Sequence, residues 1–97
     1  MTAEAFQRTL SDPAPPGGLG LALQALWWAG KGNWDRAHGC AQHGEGDPAC
    51  DWVHAYLHRA EGDLANAGYW YRRAGQPVAT GPLQDEWDAI AAALLDR

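Results

Sequence analysis

An all-α fold is what this sequence predicts, on three observations. Nineteen alanines stand against six β-branched residues (Thr2, Thr9, Val53, Val78, Thr80, Ile90). No stretch alternates apolar and polar residues as a half-buried strand would. The twelve glycines and six prolines fall mostly between segments of helical periodicity rather than inside them. Alanine gives up no side-chain entropy on entering a helix, whereas strands favour Val, Ile and Thr. At 97 residues the chain makes one small domain. Six tryptophans suit such a domain, because each brings a large apolar area to a thin, alanine-rich core.

The elements follow in order. Residues 2–11 form a short helix carrying Phe6 and Leu10, and Asp12-Pro13-Ala14-Pro15-Pro16-Gly17-Gly18 stops it and connects stiffly onward. Segment 19–30 has Leu19, Leu23, Leu26 and Trp27 on one stripe, with Leu21, Ala25 and Trp28 on another. A helix apolar on two sides needs cover twice, by its own domain and by the N-terminal helix or a second chain, so a homodimer through this segment is one expectation. Gly30-Lys31-Gly32-Asn33 breaks the helix, and Asn33 caps the next, residues 34–42. Asp47-Pro48 is an N-cap with proline at the first helical position. The helix it starts runs to about residue 61, with Ala49, Val53, Tyr56, Leu57 and Ala60 inward. Asp63 caps a further helix whose inner stripe is Leu64, Ala67, Gly68, Tyr71 and Ala74, ended by Gly75 and Pro77. The last helix begins at Pro82 with Leu83, Trp87, Ile90, Ala91 and Leu94 on one face. Its acids lie near the start and Arg97 at the end, in agreement with the helix dipole. The expected architecture is therefore about five helices: an N-terminal piece (1–18), a core (19–78) and a capping helix (79–97).

The core contains an internal repeat. Gly32-Asn33-Trp34-Asp35-Arg36-Ala37 aligns with Gly62-Asp63-Leu64-Ala65-Asn66-Ala67 at an offset of thirty residues, which also pairs Ala25 with Ala55. Helix pairs at a fixed offset are the mark of an α-solenoid. Gly62, Ala67, Tyr71 and Ala74 fall at the spacings of the second-helix motif of the tetratricopeptide repeat, and the middle of the chain resembles that family. The first unit keeps Gly32 and Ala37 but has Ala41 at the aromatic position and Gly44 at the last alanine. The resemblance implies two stacked helical hairpins and a protein- or peptide-binding scaffold. The string from His54 through Asn66 to Gly75 is also similar to a segment of small bacterial proteins, which implies a bacterial cytosolic protein and supplies no chemistry.

Composition removes several functions. Seven basic against twelve acidic side chains give −5, which argues against a nucleic-acid partner. No run of ~18–20 apolar residues is present to span a membrane. The start, Met1-Thr2-Ala3-Glu4-Ala5-Phe6, does not read as a signal peptide, so a cytoplasmic location is expected. Neither cysteine has the flanks of a nucleophile and there is no phosphate-cradling glycine loop, so no catalytic residue is assigned.

Three constellations remain. Asp51, His54, His58 and Glu61 share one side of their helix, and His-x-x-x-His places two imidazoles one turn apart, as a chelating helix does. The competing reading is a polar helix–helix seam in which Asp51, Glu61 or a tyrosine hydrogen-bonds the rings. Cys40-x-x-His43 with Cys50-x-x-x-His54 makes a second candidate, a structural zinc site, set against Cys50 as a small buried hydrophobe. Third, Asn66, Tyr69, Trp70 and Arg73 lie away from the inner stripe, with Arg59 and Arg72 nearby. Tyr, Trp and Arg carry interface hot spots, and an Arg fork beside a Trp platform suits an acidic peptide. The function expected from sequence is thus an interaction module that binds a protein or peptide, on His54, His58, Arg59, Asn66, Tyr69, Trp70 and Arg73. No cofactor and no tightly held zinc are expected. The alternative is a small metal-binding or hydrolytic protein centred on His54 and His58.

Overall fold

The computed structural model describes residues 1–96. Among them the chain is all-α, with α1 Ala3–Arg8, α2 Leu21–Gly30, α3 Trp34–His43, α4 Pro48–Ala60, α5 Leu64–Ala74 and α6 Leu83–Leu95. A 3-10 turn, Thr9–Ser11, follows α1. Arg97, expected to answer the negative end of the last helix, lies outside the described residues. No helix among the described residues is long and apolar enough to cross a membrane.

The helix starts obey local side-chain chemistry. Oxygens of Asn33, Asp47 and Asp63 accept from the backbone N–H of Arg36, Cys50 and Asn66 at 3.1, 3.2 and 3.2 Å. Each satisfies a donor that the first helical turn leaves unpaired. The two hairpins are closed by one and the same turn. Lys31, Gly32 and Asn33 donate backbone N–H to the carbonyls of Trp27, Ala29 and Trp28, and Glu61, Gly62 and Asp63 donate to Leu57, Arg59 and His58. Every partner is displaced by thirty residues, the offset found in the sequence. Gly32 and Gly62 occupy φ of 81° and 88°, a conformation that a Cβ would strain.

The hairpins α2–α3 and α4–α5 meet through α3 and α4 and through α2 and α4, while α6 lies against α1, α2 and α4. A main core gathers Phe6, Ala25, Leu26, Trp27, Val53, Leu57, Trp87 and Ile90, and a smaller one holds Ala55, Ala67, Trp70 and Tyr71. Much of the cover that α2 requires comes from within the chain, while Leu21, Leu23 and Trp28 stay half-buried. Trp27 donates Nε1–H to the Thr9 hydroxyl at 3.0 Å, and Trp87 donates its own to the Leu26 carbonyl at 2.9 Å. Phe6 stacks on Trp87 at 5.6 Å, and Lys31 Nζ reaches the carbonyls of Leu10 and Asp12. Trp27, Trp70 and Trp87 are buried and the other three tryptophans half-buried, so all six help to fill the interior.

Some inner-stripe residues are not inside. Ala60 and Leu64 stand at the tip of the second hairpin, beyond the helices that cover its body, and Leu64 is 68% exposed. Leu83, in the first turn of α6, is exposed as well, and Gly68 is half-buried. The buried arc of α5 is instead Ala67, Trp70, Tyr71 and Ala74. Ala67 lies in the small core beside Ala55, where α5 meets α4. Ala67→Leu is expected to destabilise the domain by about 1–3 kcal/mol, since added methylenes force apart a close crossing. Chemical denaturation checks this, and an unchanged midpoint would contradict the tight α4–α5 packing.

Candidate metal centre

The site grows from two helices. On α4, one-turn spacing stacks His54 and His58, and on α3 the same spacing stacks Trp34 and His38. Packing of α3 on α4 brings His38 against both α4 histidines. One ring nitrogen from each of His38, His54 and His58 lies within 4.8 Å of the other two. The His38 ring stands edge-on to His54 at 4.7 Å and to His58 at 5.4 Å, and the two α4 rings are 4.9 Å apart. His54 and His58 are buried; His38 is half-buried and faces the solvent side.

Tryptophans wall the cluster on both sides. Trp34 stacks on His38 at 4.7 Å and is fixed by donating Nε1–H to the Leu57 carbonyl at 2.7 Å. Trp70 lies flat on His54, with ring centroids 3.8 Å apart and planes 14° from parallel. Over Trp70 sits the Arg73 guanidinium at 4.9 Å. Outside the cluster, the Glu61 carboxylate accepts from His58 Nδ1–H at 2.7 Å. That bond selects the tautomer whose Nε2 lone pair is free, as carboxylates behind metal-binding histidines do. The buried Nδ1 of His54 has no hydrogen-bond partner. Burial, then the neighbouring His38, His58 and Arg73, hold His54 down to about 4, and burial followed by His58 lowers His38. His54 is therefore a neutral imidazole at neutral pH, the form that ligates a metal.

The sequence-derived sites are rearranged. Asp51 does not join the histidines: its Oδ1 accepts from the Gly46 N–H at 3.1 Å, and its Oδ2 lies 3.9 Å from Arg73 Nε. The polar seam is found at His58 and Glu61, whereas His54 stacks on an aromatic instead of bonding an acid. Cys40, His43, Cys50 and His54 do not form a zinc quartet. No three of their ligand atoms come together among the described residues, because His54 turns to the α3 histidine while Cys50 fills the core beside Gly44. Burial, then a hydrogen bond with Asp47, pushes the Cys50 thiol up to about 12, and burial raises Cys40 too. Both are held away from the thiolate form that binds zinc.

The outward patch loses its tryptophan and Arg59. Trp70 is only 8% exposed, covered by His54 and Arg73 rather than by the last helix. A flat indole matches the flat imidazole that α4 presents, so it turns inward. Arg59 points to α6, bonding Glu86 at 2.9 Å and the Gly81 carbonyl, and adds no charge beside Trp70. Tyr69 and Arg73 remain exposed, joined by a 3.2 Å bond from Arg73 Nη1 to the Tyr69 hydroxyl, with Arg72 exposed and Asn66 half-buried beside them. The residue missed in sequence is His38. Its signal was present: it follows Ala37, which the thirty-residue offset pairs with inward Ala67, and stands one turn after Trp34.

Comparison with protein-family models, with curated proteins and with solved structures finds no match to this chain.

Proposed function

We propose that this chain is a small metal-binding helical protein whose His38, His54 and His58 hold one transition-metal ion of the zinc class between α3 and α4. The observation that carries this reading is the convergence of three imidazoles from two helices, with His58 oriented by Glu61. The donor set is all imidazole, which suits zinc, copper or nickel and not the oxygen-seeking calcium or magnesium. The partnerless Nδ1 of buried His54 fits it too, because a buried polar atom without a partner calls for an ion or water. The scaffold is read as two tetratricopeptide-like hairpins with α6 as cap. The spacing of Gly62, Ala67, Tyr71 and Ala74 and the two identical turns support that reading.

Calorimetric titration of metal-free protein with zinc, cobalt or nickel tests the proposal. One ion per chain is expected, with a rise in melting temperature, since an ion that binds only the folded state stabilises it. His38→Gln, at the half-exposed position, should abolish tight binding with little change in the fold. Glu61→Gln should weaken affinity by about 10–100-fold through loss of ligand orientation. Absence of stoichiometric metal, or full affinity in His38→Gln, would overturn the assignment.

A second reading, a peptide-binding module, is favoured by an apolar groove of about 440 Å³ beside Leu64, Tyr71, Val78 and Leu83. Leu64 and Val78 are its exposed apolar walls. The same titration separates the two readings, since a peptide-binding module takes up no metal ion.

A further inference from the structure

We infer that the metal held by His38, His54 and His58 keeps one open coordination position on the His38 side, where it takes hydroxide or another small anion from solvent. This rests on the three-histidine reading above. Donor count is the first argument. Among the described residues the cluster has three members; Glu61 and Asp63 form a separate group with His58, and Asp63 accepts from the Asn66 amide. Glu61 is bonded to the far nitrogen of His58, and Asp51 to the Gly46 amide. Cys50 is packed in the main core. Zinc sites closed by four protein ligands are structural, whereas sites with three protein ligands hold water or substrate in the fourth position.

Charge and access point the same way. Three neutral imidazoles leave a divalent ion uncompensated in a site walled by indole rings, and a low-dielectric surround strengthens its pull on an anion. His54 and His58 are buried while His38 is half-buried, so solvent approaches past His38.

The experiment uses the full chain loaded with cobalt(II), whose visible spectrum reports its coordination, titrated with sodium azide. A spectral change that saturates at one azide per cobalt is expected. Glu61→Gln should give the same azide response at its weaker cobalt affinity, because Glu61 is not the fourth ligand. Cobalt bound tightly with a spectrum indifferent to azide overturns the open position while leaving the three-histidine site standing. An azide response seen in Glu61→Gln but not in the natural sequence also overturns it, by showing that the carboxylate fills the position. Failure of the natural sequence to take up cobalt overturns the site and this inference together.

Discussion

Arg59→Met is expected to destabilise the protein by about 3–5 kcal/mol, because it strands the buried Glu86 carboxylate without its cation. Arg59 Nη1 lies 2.9 Å from Glu86 Oε1, and both side chains are almost wholly buried. The other carboxylate oxygen accepts from the Tyr71 hydroxyl at 2.5 Å, and Arg59 also donates to the Gly81 carbonyl. Burial, then that bond to Glu86, raises the Tyr71 hydroxyl well above the usual phenol range, so it stays a donor. The network ties α4 and α5 to α6 and to the loop before it. Methionine keeps much of the apolar stem of arginine, so the loss measured is that of the charge and its hydrogen bonds. The melting midpoint, followed by circular dichroism, should fall by about 15 °C or more. Arg59→Met combined with Glu86→Leu should recover a large part of this, since removing both charges leaves only the Tyr71 hydroxyl and the exposed Gly81 carbonyl without those partners. A single variant that melts like the natural sequence would show that the ion pair is not held in the folded protein.

The metal-free protein should lose about 3 kcal/mol of stability as pH falls from 6.5 to 4. His54 titrates at about 4 in the folded chain against an ordinary value of 6.5. Below 6.5 the unfolded chain binds a proton that the folded chain refuses, so acid favours unfolding. The stability of the buried neutral ring is complete above pH 6.5 and is lost as pH approaches 4. His38 is also lowered and adds in the same direction. The charged and titratable groups acting on His54 are His38 from α3, His58 on α4, and Arg73 on α5 beyond Trp70. Urea unfolding at pH 7 and pH 5 measures the effect, and His54→Phe, which keeps the stack on Trp70, should flatten most of it. A natural sequence with equal stability at the two pH values would contradict the burial of a neutral His54.

Helix boundaries were legible because their causes are local. Asn33, Asp47 with Pro48, Asp63 and Gly75 each act within one turn of the chain, and the helices begin and end where those residues stand. The thirty-residue offset was legible for the same reason, because three consecutive residues set each turn. The site was harder to read, since it depends on which side of one helix meets which side of another. Counting apolar residues set the inner stripe of α5 around Leu64 and Gly68. The structure rotates the buried arc to include Trp70, because what α4 offers there is a flat histidine ring. His38 escaped notice because its partners lie sixteen and twenty residues further on, in a different helix. The cysteine–histidine spacing misled for the complementary reason. Ligands spaced correctly along the chain point to different places when one of them, Cys50, is needed as core.

The contact of Phe6 with Trp87 bears on the order in which the molecule assembles. Each hairpin closes through a three-residue turn and collects its contacts from close neighbours in the chain. By contrast, the bond from Trp87 to the Leu26 carbonyl joins residues 61 positions apart, and the stack of Phe6 on Trp87 spans a greater separation still. The entropy of closing a loop rises with its length, so these distant contacts have little value until the hairpins already exist to receive them. The two hairpins are expected to form early, with the pairing of α1 and α6 as the late clasp. Its release would bare the side of α2 that carries Trp27, whose Nε1–H is bonded to the Thr9 hydroxyl, while both hairpins stay closed.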